Sequence, residues 1–304
     1  MKIFVTGATG FVGSAIVREL IDGGHQVVGL ARSDAGAESL IAAGAQVHRG
    51  ALEDLESLRS GAAMTDGVIH TGFIHDFSKF VENCEVDKRA IEALGSALEG
   101  SERLLLVTSG MATVAQGRMP TEEDAPLPPS ATYPRVSEIT GEKLLKGGVR
   151  VSAVRLPQVH DTVKQGLVTY TIAVAREKGM SAYVGDGLNR WAAVHVLDAA
   201  RLYRLALEKQ EAGARYHAVA EEGVPARDIA EAIGRGLEVP VVSKSAEEAG
   251  AHFGWLAAFV SRELIGSSAQ TQRVLGWRPT GPGLITDLNN MCYFEPEQTA
   301  HAAR

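Results

Sequence analysis

The stretch KIFVTGATGFVGSAIVREL, residues 2–20, joins a short apolar run to an amphipathic run through three glycines. The apolar run predicts a buried β-strand, and the second run has the periodicity of a helix. Between a strand and a helix, Gly7 permits a tight turn, Gly10 lets the backbone approach a pyrophosphate, and Gly13 lets the helix pack closely. The helix N-terminus would then present N–H groups to phosphates. The residues that we expect to contact a dinucleotide here are Gly7, Gly10, Phe11, Val12 and Gly13.

The second predicted strand ends in VVGLARSD, residues 27–34. Folds that prefer NAD usually place an acid at this strand end, where it binds the ribose 2′-hydroxyl. Here the position is Ala31, followed by Arg32 and Ser33. Arg32 can pair with a 2′-phosphate through charge-assisted hydrogen bonds, and Ser33 can add another. We therefore predict NADP(H) in preference to NAD(H), with an ordinary exposed arginine as the alternative; Asp34 is expected to cap the next helix.

Strand-like and helix-like runs alternate through about the first 160 residues. Continuous apolar strands separated by helices predict a parallel sheet covered on both faces. Right-handed crossovers then give an α/β fold with a doubly wound parallel Rossmann sheet and a smaller C-terminal substrate lobe. We expect the NADP-binding Rossmann domain at 1–165 with a returning segment at about 190–222. The smaller lobe would comprise 166–189 and 223–304, with the substrate cleft between the two.

Composition excludes several classes of function. The chain has 304 residues, 45% of them hydrophobic and 22% charged, and a formal net charge of -7. The absence of a Lys/Arg run argues against nucleic-acid binding, and no apolar run reaches the roughly 20 residues that span a bilayer. Cys84 and Cys292 are far apart, which is typical of a reduced cytoplasmic protein. We expect a small-molecule substrate, no nucleic-acid or membrane partner, no signal peptide and no metal site.

Seven segments together resemble the extended short-chain dehydrogenases/reductases, and more narrowly the bacterial proteins named NAD-dependent epimerase/dehydratase. In chain order they are TGATGFVG (6–13), GALED (50–54), VIHTG (68–72), LVTSG (106–110), VRLPQVHD (154–161), RWAAVHVLDAA (190–200) and LGWRPTG (275–281). The resemblance implies further cofactor contacts: Leu52 at the adenine, Thr71 and Gly72 near the nicotinamide ribose, and Pro157 where the chain enters the substrate lobe. It also implies a homodimer formed through long fourth and fifth helices.

In this family a Tyr hydroxyl donates a proton to the substrate carbonyl, and a Lys four residues later lowers the pKa of that Tyr and holds the ribose. The segment YPRVSEITGE lacks this pair in either alignment. Counted from Tyr133, the Lys position is Ser137. When the segment is instead aligned so that Ser137 matches the Ser that precedes Lys in the family, the Lys position is Glu138 and the Tyr position is Pro134. Pro134 suits a first helical turn, so Tyr133 is expected near the N-cap.

Other side chains are candidates for the missing chemistry. Arg135 is a substitute cation, although it would point differently on a helix. The family's polarising hydroxyl falls at Gly110, so Ser109 or Thr108 must serve. His75 titrates near neutrality and could transfer protons, with Asp76 to orient it. The candidate catalytic residues are Tyr133, Ser109 and His75, and the candidate substrate contacts are Met111, His160 and Trp191; each could instead pack or cap structurally.

Three functions remain open. The first is an NADPH-dependent reductase that transfers hydride to a small carbonyl or similar unsaturated substrate. The second is a nucleotide-sugar epimerase or dehydratase, for which Arg190 and Arg273 are the obvious diphosphate ligands. The third is a non-catalytic redox sensor that only binds NADP, which the lost lysine favours.

Overall fold

Strands and helices alternate along residues 1–114, 117–131 and 133–291, the part of the chain that the computed structural model describes. The strands are Lys2–Thr6 (β1), Gln26–Ala31 (β2), Gln46–Arg49 (β3), Gly67–His70 (β4), Leu104–Gly110 (β5), Val151–Leu156 (β6), Gln158–His160 (β7), Ser181–Val184 (β8), Arg190–His195 (β9), Arg215–His217 (β10), Glu221–Pro225 (β11) and Val241–Lys244 (β12). Cys292 lies outside the described residues.

The helices follow the same order. They are Phe11–Asp22 (α1), Asp34–Ala42 (α2), Leu55–Ala63 (α3), Phe80–Ser96 (α4), Ser137–Lys146 (α5), Val168–Lys178 (α6), Val196–Lys209 (α7), Ala226–Leu237 (α8), Ala246–Phe253 (α9), Ala257–Val260 (α10), Ala269–Leu275 (α11) and Leu284–Asn289 (α12). Short 3-10 helices occur at Phe77–Lys79, Met111–Thr113 and Gly254–Leu256.

A seven-stranded parallel sheet organises the first of two compact units, which comprises residues 1–156, 196–218 and 267–278. Its strand order is β10-β6-β5-β4-β1-β2-β3. The chain runs outward from β1 to β3 and then resumes at β4 on the other side of β1. The carboxyl ends of β1 and β4 therefore flank the switch point, where ligands bind in doubly wound sheets. This is the Rossmann-like fold that the alternation predicts.

The helices of this unit cover the sheet with apolar side chains. Helices α3, α4 and α5 pack side by side, and α1 packs against α7. Fully buried Leu58, Ile91 and Leu94 from α3 and α4 join Leu105 and Val107 of β5 in one core cluster. Each such side chain contributes about 1.5–3 kcal/mol by leaving water. This packing fixes the positions of the strand ends.

The second unit comprises residues 157–195, 219–266 and 279–304, described as far as residue 291. It contains a three-stranded sheet, β11-β9-β7, and a parallel pair, β12-β8. Helix α9 starts with a capping box, in which Ser245 and Glu248 bond reciprocally. Gly254, at φ 58° and ψ -132°, ends α9, and a 3-10 turn follows.

The boundaries of the units differ from those expected. Residues 157–165, 190–195 and 219–222 belong to the second unit, whereas the sequence placed 1–165 and about 190–222 with the dinucleotide domain. The reason is strand pairing, because β9 pairs with β7 and β11 rather than with the parallel sheet. Residues 267–278, expected in the smaller lobe, belong to the first unit. No described helix combines the length and apolarity needed to cross a membrane.

Candidate functional site

The glycine turn after β1 has the geometry that a bound dinucleotide requires. Gly7 has φ +66°, and a Cβ there would lie 2.7 Å from the Gly72 nitrogen. A Cβ on Gly13 would lie 2.0 Å from the Gly7 oxygen, so only glycine lets α1 start this close to the turn. At Gly10, by contrast, only the Gly7 oxygen of the described atoms is within 4 Å of such a Cβ. A side chain at Gly10 would lie 3.1 Å from that oxygen, and contact of Gly10 with a pyrophosphate stays a prediction.

Two arginines lie near the carboxyl end of β2. Arg32 is exposed, and the strand register places Arg49 of β3 directly beside Ala31. Arg49 donates to the carboxylate of Asp34 (2.5 Å). Ser33 is the N-cap of α2 and accepts from the Gly36 N–H (3.2 Å), so the expectation that Asp34 is the cap is wrong. The Ser33 hydroxyl can still donate a hydrogen bond, because a hydroxyl that accepts one bond keeps its own proton.

Leu52, Thr71 and Gly72 lie around the same turn. A Cβ on Gly72 would lie 2.8 Å from Cδ2 of Leu52 and 3.3 Å from the Gly7 nitrogen. Thr71 donates its hydroxyl to the Thr6 carbonyl (2.8 Å). These predicted cofactor contacts therefore gather at the carboxyl ends of β1 and β4. Pro157, in contrast, opens the second unit.

Tyr133 lies at the carboxyl end of β5, beside Gly110. A Cβ at position 110 would lie 3.5 Å from the Tyr133 hydroxyl oxygen. The phenol hydroxyl therefore lies in van der Waals range of the place where a side chain at position 110 would begin. Ser109 is buried, and its Oγ lies 3.2 Å from Oγ1 of Thr113, which donates to the Gly110 carbonyl (2.8 Å).

The segment before α5 does not start a helix at Pro134. Helix α5 begins at Ser137 with Val136 at the N-cap, so the expected position of Tyr133 near an N-cap is wrong. Residues 133–136 have no regular secondary structure, and Ser137 is the first helical residue. Proline in this segment disfavours helical geometry for the residue before it, which is Tyr133. Thr132 lies outside the described residues.

Ser137, the Lys position counted from Tyr133, belongs to a chain of buried polar groups. Arg135 Nε donates to Ser137 Oγ (2.8 Å), and Ser137 Oγ donates to Asp87 Oδ2 (2.5 Å). On the other side of that carboxylate, His70 Nε2 lies 3.1 Å from Oδ1, and His70 Nδ1 lies 2.7 Å from Thr6 Oγ1. The chain therefore connects Arg135 to the switch point through α4 and β4.

Asp87 is the charged centre of this chain. Burial opposes its ionisation, but the hydrogen bond from His70 and the charge of Arg135 outweigh burial, and the pKa of Asp87 is held below its ordinary value. An ionised carboxylate accepts from both neighbours, which makes His70 Nε2 a donor and His70 Nδ1 an acceptor for the Thr6 hydroxyl. Asp87 was not among the site residues predicted from the sequence. The pattern that could have indicated Asp87 is an acidic residue on the buried face of a predicted helix, three residues before the apolar Ala90.

Arg135 is oriented by three contacts. Its Nη2 donates to the Thr108 carbonyl (3.1 Å), its Nε donates to Ser137, and its guanidinium lies 4.4 Å from the centre of the Phe73 ring. Cation–π contacts of this kind hold a guanidinium against an aromatic face. The cation thus lies at the carboxyl end of β5, on the strand that carries Ser109.

Glu138, the Lys position in the other alignment, has a structural role. Its buried carboxylate accepts from Arg155 Nε (2.9 Å) and Nη2 (2.6 Å), and from Arg215 Nε (3.1 Å). Arg155 Nη1 in turn lies 3.0 Å from Nε2 of His217. A carboxylate therefore replaces the ammonium here, and two arginines balance its charge.

His75 lies in an aromatic group on the segment after β4. Its ring is edge-on to Phe73 (5.2 Å between centroids) and to Phe77 (6.2 Å). The Asp76 carboxylate accepts from the Ser78 N–H (3.0 Å) and hydroxyl (2.5 Å), and its role in orienting His75 stays a prediction. These bonds lower the pKa of Asp76.

The three candidate substrate contacts are buried. Met111 starts a 3-10 turn after β5 in the first unit. In the second unit, Trp191 is buried on β9 and His160 on β7. Nδ1 of His160 lies 2.7 Å from Oδ2 of Asp287, and burial lowers the pKa of His160. This pairing favours a structural histidine, and substrate contact at His160 and Trp191 stays a prediction. The described residues contain no group of His, Cys, Asp or Glu arranged to hold a metal ion.

Comparison with known proteins supports the dinucleotide geometry. Residues 3–220 match the model of the NAD dependent epimerase/dehydratase family. An uncharacterized protein of Schizosaccharomyces pombe is 51% identical over 97% of this chain and 100% of its own length. A UDP-glucose 4-epimerase of Streptomyces lividans is 27% identical, with 92% of each chain covered.

Among solved structures, the fold is similar to that of the Thermus thermophilus UDP-glucose 4-epimerase in complex with NAD. The TM-score is 0.74 at 21% identity, with 96% of this chain and 97% of that chain covered. A dTDP-glucose 4,6-dehydratase of Streptomyces venezuelae, with NAD and TYD bound, has a TM-score of 0.76 at 18% identity, covering 97% and 96% of the two chains. At these identities the likeness concerns the fold, and it agrees with a nicotinamide dinucleotide cofactor.

Proposed function

The chain belongs to the NAD-dependent epimerase/dehydratase family, and from this premise we propose that it is an NADPH-dependent reductase of small carbonyl compounds. The observation that carries the proposal is the position of the Tyr133 hydroxyl beside Gly110, at the carboxyl end of β5. A phenol at this strand end can donate a proton to a carbonyl oxygen, and Ser109 precedes Gly110 on β5. Bound NADPH would supply the hydride to the carbonyl carbon.

In this proposal each side chain of the site has a separate chemical role. Tyr133 protonates the oxygen as the carbonyl is reduced to an alcohol, and Ser109 or Thr113 polarises that oxygen. Arg135, fixed on the Thr108 carbonyl, supplies the positive charge that favours an ionised phenol when the proton has left. His75 is the candidate that returns a proton from solvent, since its ring is exposed.

The cofactor preference rests on charge. Arg32 and Arg49 flank the end of β2, where an acid would select NAD. Two cations at this edge favour a 2′-phosphate, although Asp34 balances part of the charge of Arg49. We therefore propose NADP(H), preferred over NAD(H).

A nucleotide-sugar epimerase is the less favoured alternative. Such a substrate carries a diphosphate, and the sequence offered Arg190 and Arg273 for it. Arg190 donates through Nε (2.9 Å) and Nη2 (2.6 Å) to Glu263, so its charge is already balanced within the second unit. A sensor that only binds NADP is the third alternative.

The first test is the Tyr133→Phe variant. We expect it to lower kcat/KM for NADPH-dependent carbonyl reduction by about 100-fold or more, as loss of a general acid does, while the dissociation constant for NADPH stays unchanged. NADPH oxidation would be followed by absorbance across a panel of small aldehydes and ketones, and NADPH binding by fluorescence.

The matched control is Tyr183→Phe, which removes a half-buried phenol hydroxyl from the second unit. Retention of most of the activity in Tyr133→Phe would reject the assignment of the donor. Interconversion of UDP-glucose and UDP-galactose without net NADPH use would favour the epimerase instead. NADPH binding with no turnover of any carbonyl or sugar nucleotide would favour the sensor.

A further inference from the structure

We propose that the carbonyl substrate carries a planar aromatic body and no phosphate, as an aryl aldehyde or ketone does. This inference rests on the proposed reductase and names the substrate class of the same site. It comes from an aromatic cluster, defined here as Phe73, His75, Phe77, Phe80 and Tyr133, which lies within the first unit.

The rings of the aromatic cluster form a continuous series. Phe73 and Phe80 are edge-on with centroids 6.3 Å apart, Phe77 and Phe80 are tilted at 5.3 Å, and Phe80 and Tyr133 are edge-on at 5.9 Å. The phenylalanines and the tyrosine are half-buried rather than sealed in the core. The series therefore leads from the proton donor along the 73–80 segment and keeps part of each ring exposed.

The member of the aromatic cluster that contacts the donor ring is Phe80, with centroids 5.9 Å apart. Aromatic rings bind each other through offset or edge-on contacts at centroid distances of about 4.5–7 Å. The same spacing already separates the members of the cluster, so a flat substrate ring can extend the series.

The charges of the site do not suit a phosphate. In the described residues of segments 73–80, 108–114 and 133–137, the cationic side chains are Arg135 and Lys79. The guanidinium of Arg135 is occupied by the Thr108 carbonyl, the Ser137 hydroxyl and the Phe73 ring. Lys79 is exposed and follows Asp76 on the same 3-10 helix. Within the described residues of these three segments, the surroundings of Tyr133 are therefore aromatic rather than cationic.

The Phe77→Leu variant tests this class, since leucine keeps an apolar side chain while removing the ring. Two alcohols of similar size, benzyl alcohol and cyclohexylmethanol, would be titrated against the NADP⁺-loaded protein by saturation-transfer NMR. The aldehydes that correspond to them, benzaldehyde and cyclohexanecarbaldehyde, would be compared by kcat/KM with NADPH. Ile74→Val is the matched control, because it alters the same segment without removing a ring.

We expect Phe77→Leu to raise the dissociation constant of benzyl alcohol about fivefold, as the loss of one aromatic contact does, and to change that of cyclohexylmethanol by less than about twofold. The two aldehydes should show the same difference in kcat/KM. Equal changes for both alcohols, or no binding of benzyl alcohol to the wild-type protein, would overturn the substrate class. If benzyl alcohol binds in a way that depends on the Phe77 ring, but benzaldehyde causes no NADPH oxidation, the aromatic substrate class is upheld and the reductase is rejected. Failure of the substrate class and failure of the proposed function are therefore distinguishable.

Discussion

Arg32 is the residue on which the cofactor preference depends most directly. It is exposed at the end of β2, one residue after Ala31. Its replacement removes a charge-assisted contact to a 2′-phosphate that NADH does not have. Such contacts contribute about 1.5–3 kcal/mol, so Arg32→Ala should weaken NADPH binding by about 10- to 100-fold and leave NADH binding nearly unchanged. Fluorescence titration with both nucleotides measures this.

Arg59→Ala is the control for that experiment. Arg59 is exposed on α3 and pairs with Glu56 (3.5 Å), a contact unrelated to the end of β2. It should leave both dissociation constants as they are in the wild-type protein. Equal weakening of NADPH and NADH by Arg32→Ala would reject the 2′-phosphate assignment.

At the scale of elements, His217 links β10 to β6 and α5 through a buried set of charges. Its Nδ1 lies 2.7 Å from the Ser267 carbonyl, and its Nε2 faces Arg155, which also holds Glu138. The Nδ1–H therefore donates to the carbonyl, and Nε2 accepts from the guanidinium. Burial and the charge of Arg155 lower the pKa of His217 to about 4, so this ring folds in its neutral form.

The protein should lose stability in mild acid for this reason. Below about pH 6.5 the unfolded ring binds a proton, whereas the folded ring stays neutral until about pH 4. Stability is therefore complete above pH 6.5 and falls as the pH drops towards 4, by about 2 kcal/mol between pH 7 and pH 5. Urea unfolding of the wild type and of His217→Gln at both pH values measures the difference.

Glutamine can keep both hydrogen bonds of the ring but cannot titrate, so His217→Gln should show a smaller decline between pH 7 and pH 5. His75→Gln, which removes an exposed ring, should decline as the wild type does. If His217→Gln and the wild type decline equally, the neutral buried ring is not the cause of the acid sensitivity.

At the scale of the whole molecule, we propose a homodimer through α4 and α5. These helices have 17 and 10 residues, so the fifth is shorter than expected. A groove of about 800 Å³ lies along them. Its apolar lining includes Val81, which is 67% exposed, with Val86, Pro134, Val136 and Ile139. Exposed apolar surface of this kind often marks a protein interface.

Sedimentation velocity tests the dimer. The wild-type chain should sediment as a dimer, and Val81→Glu should shift it to monomer, because an unpaired charge in an apolar interface costs several kcal/mol. Ile41→Glu, at a position 66% exposed on α2, should remain dimeric. A wild-type monomer would reject the proposal.

The sequence predicted the first unit well because its signals are local. A glycine turn and alternating apolar runs determine the parallel sheet, and β1, α1 and β2 fall where expected. The short strands β8, β11 and β12 have four or five residues and depend on partners distant in sequence, so periodicity could not indicate them. Two contacts were not predicted from the sequence. Strand register places Arg49 beside Ala31, and helix packing places Asp87 beside Ser137.

The contact between Gly110 and Tyr133 also concerns how enzymes lose or keep their chemistry during evolution. A motif search that scores the family's Ser/Thr, Tyr and Lys positions finds Gly110, Pro134 and Glu138, and would place the chain among pseudoenzymes. Yet the hydroxyl of Tyr133, from another segment, lies 3.5 Å from the place where a Cβ at position 110 would begin. Loss of a signature does not by itself establish loss of a reaction, and reversing one substitution alone, such as Gly110→Ser, would place a second hydroxyl-bearing side chain next to the phenol.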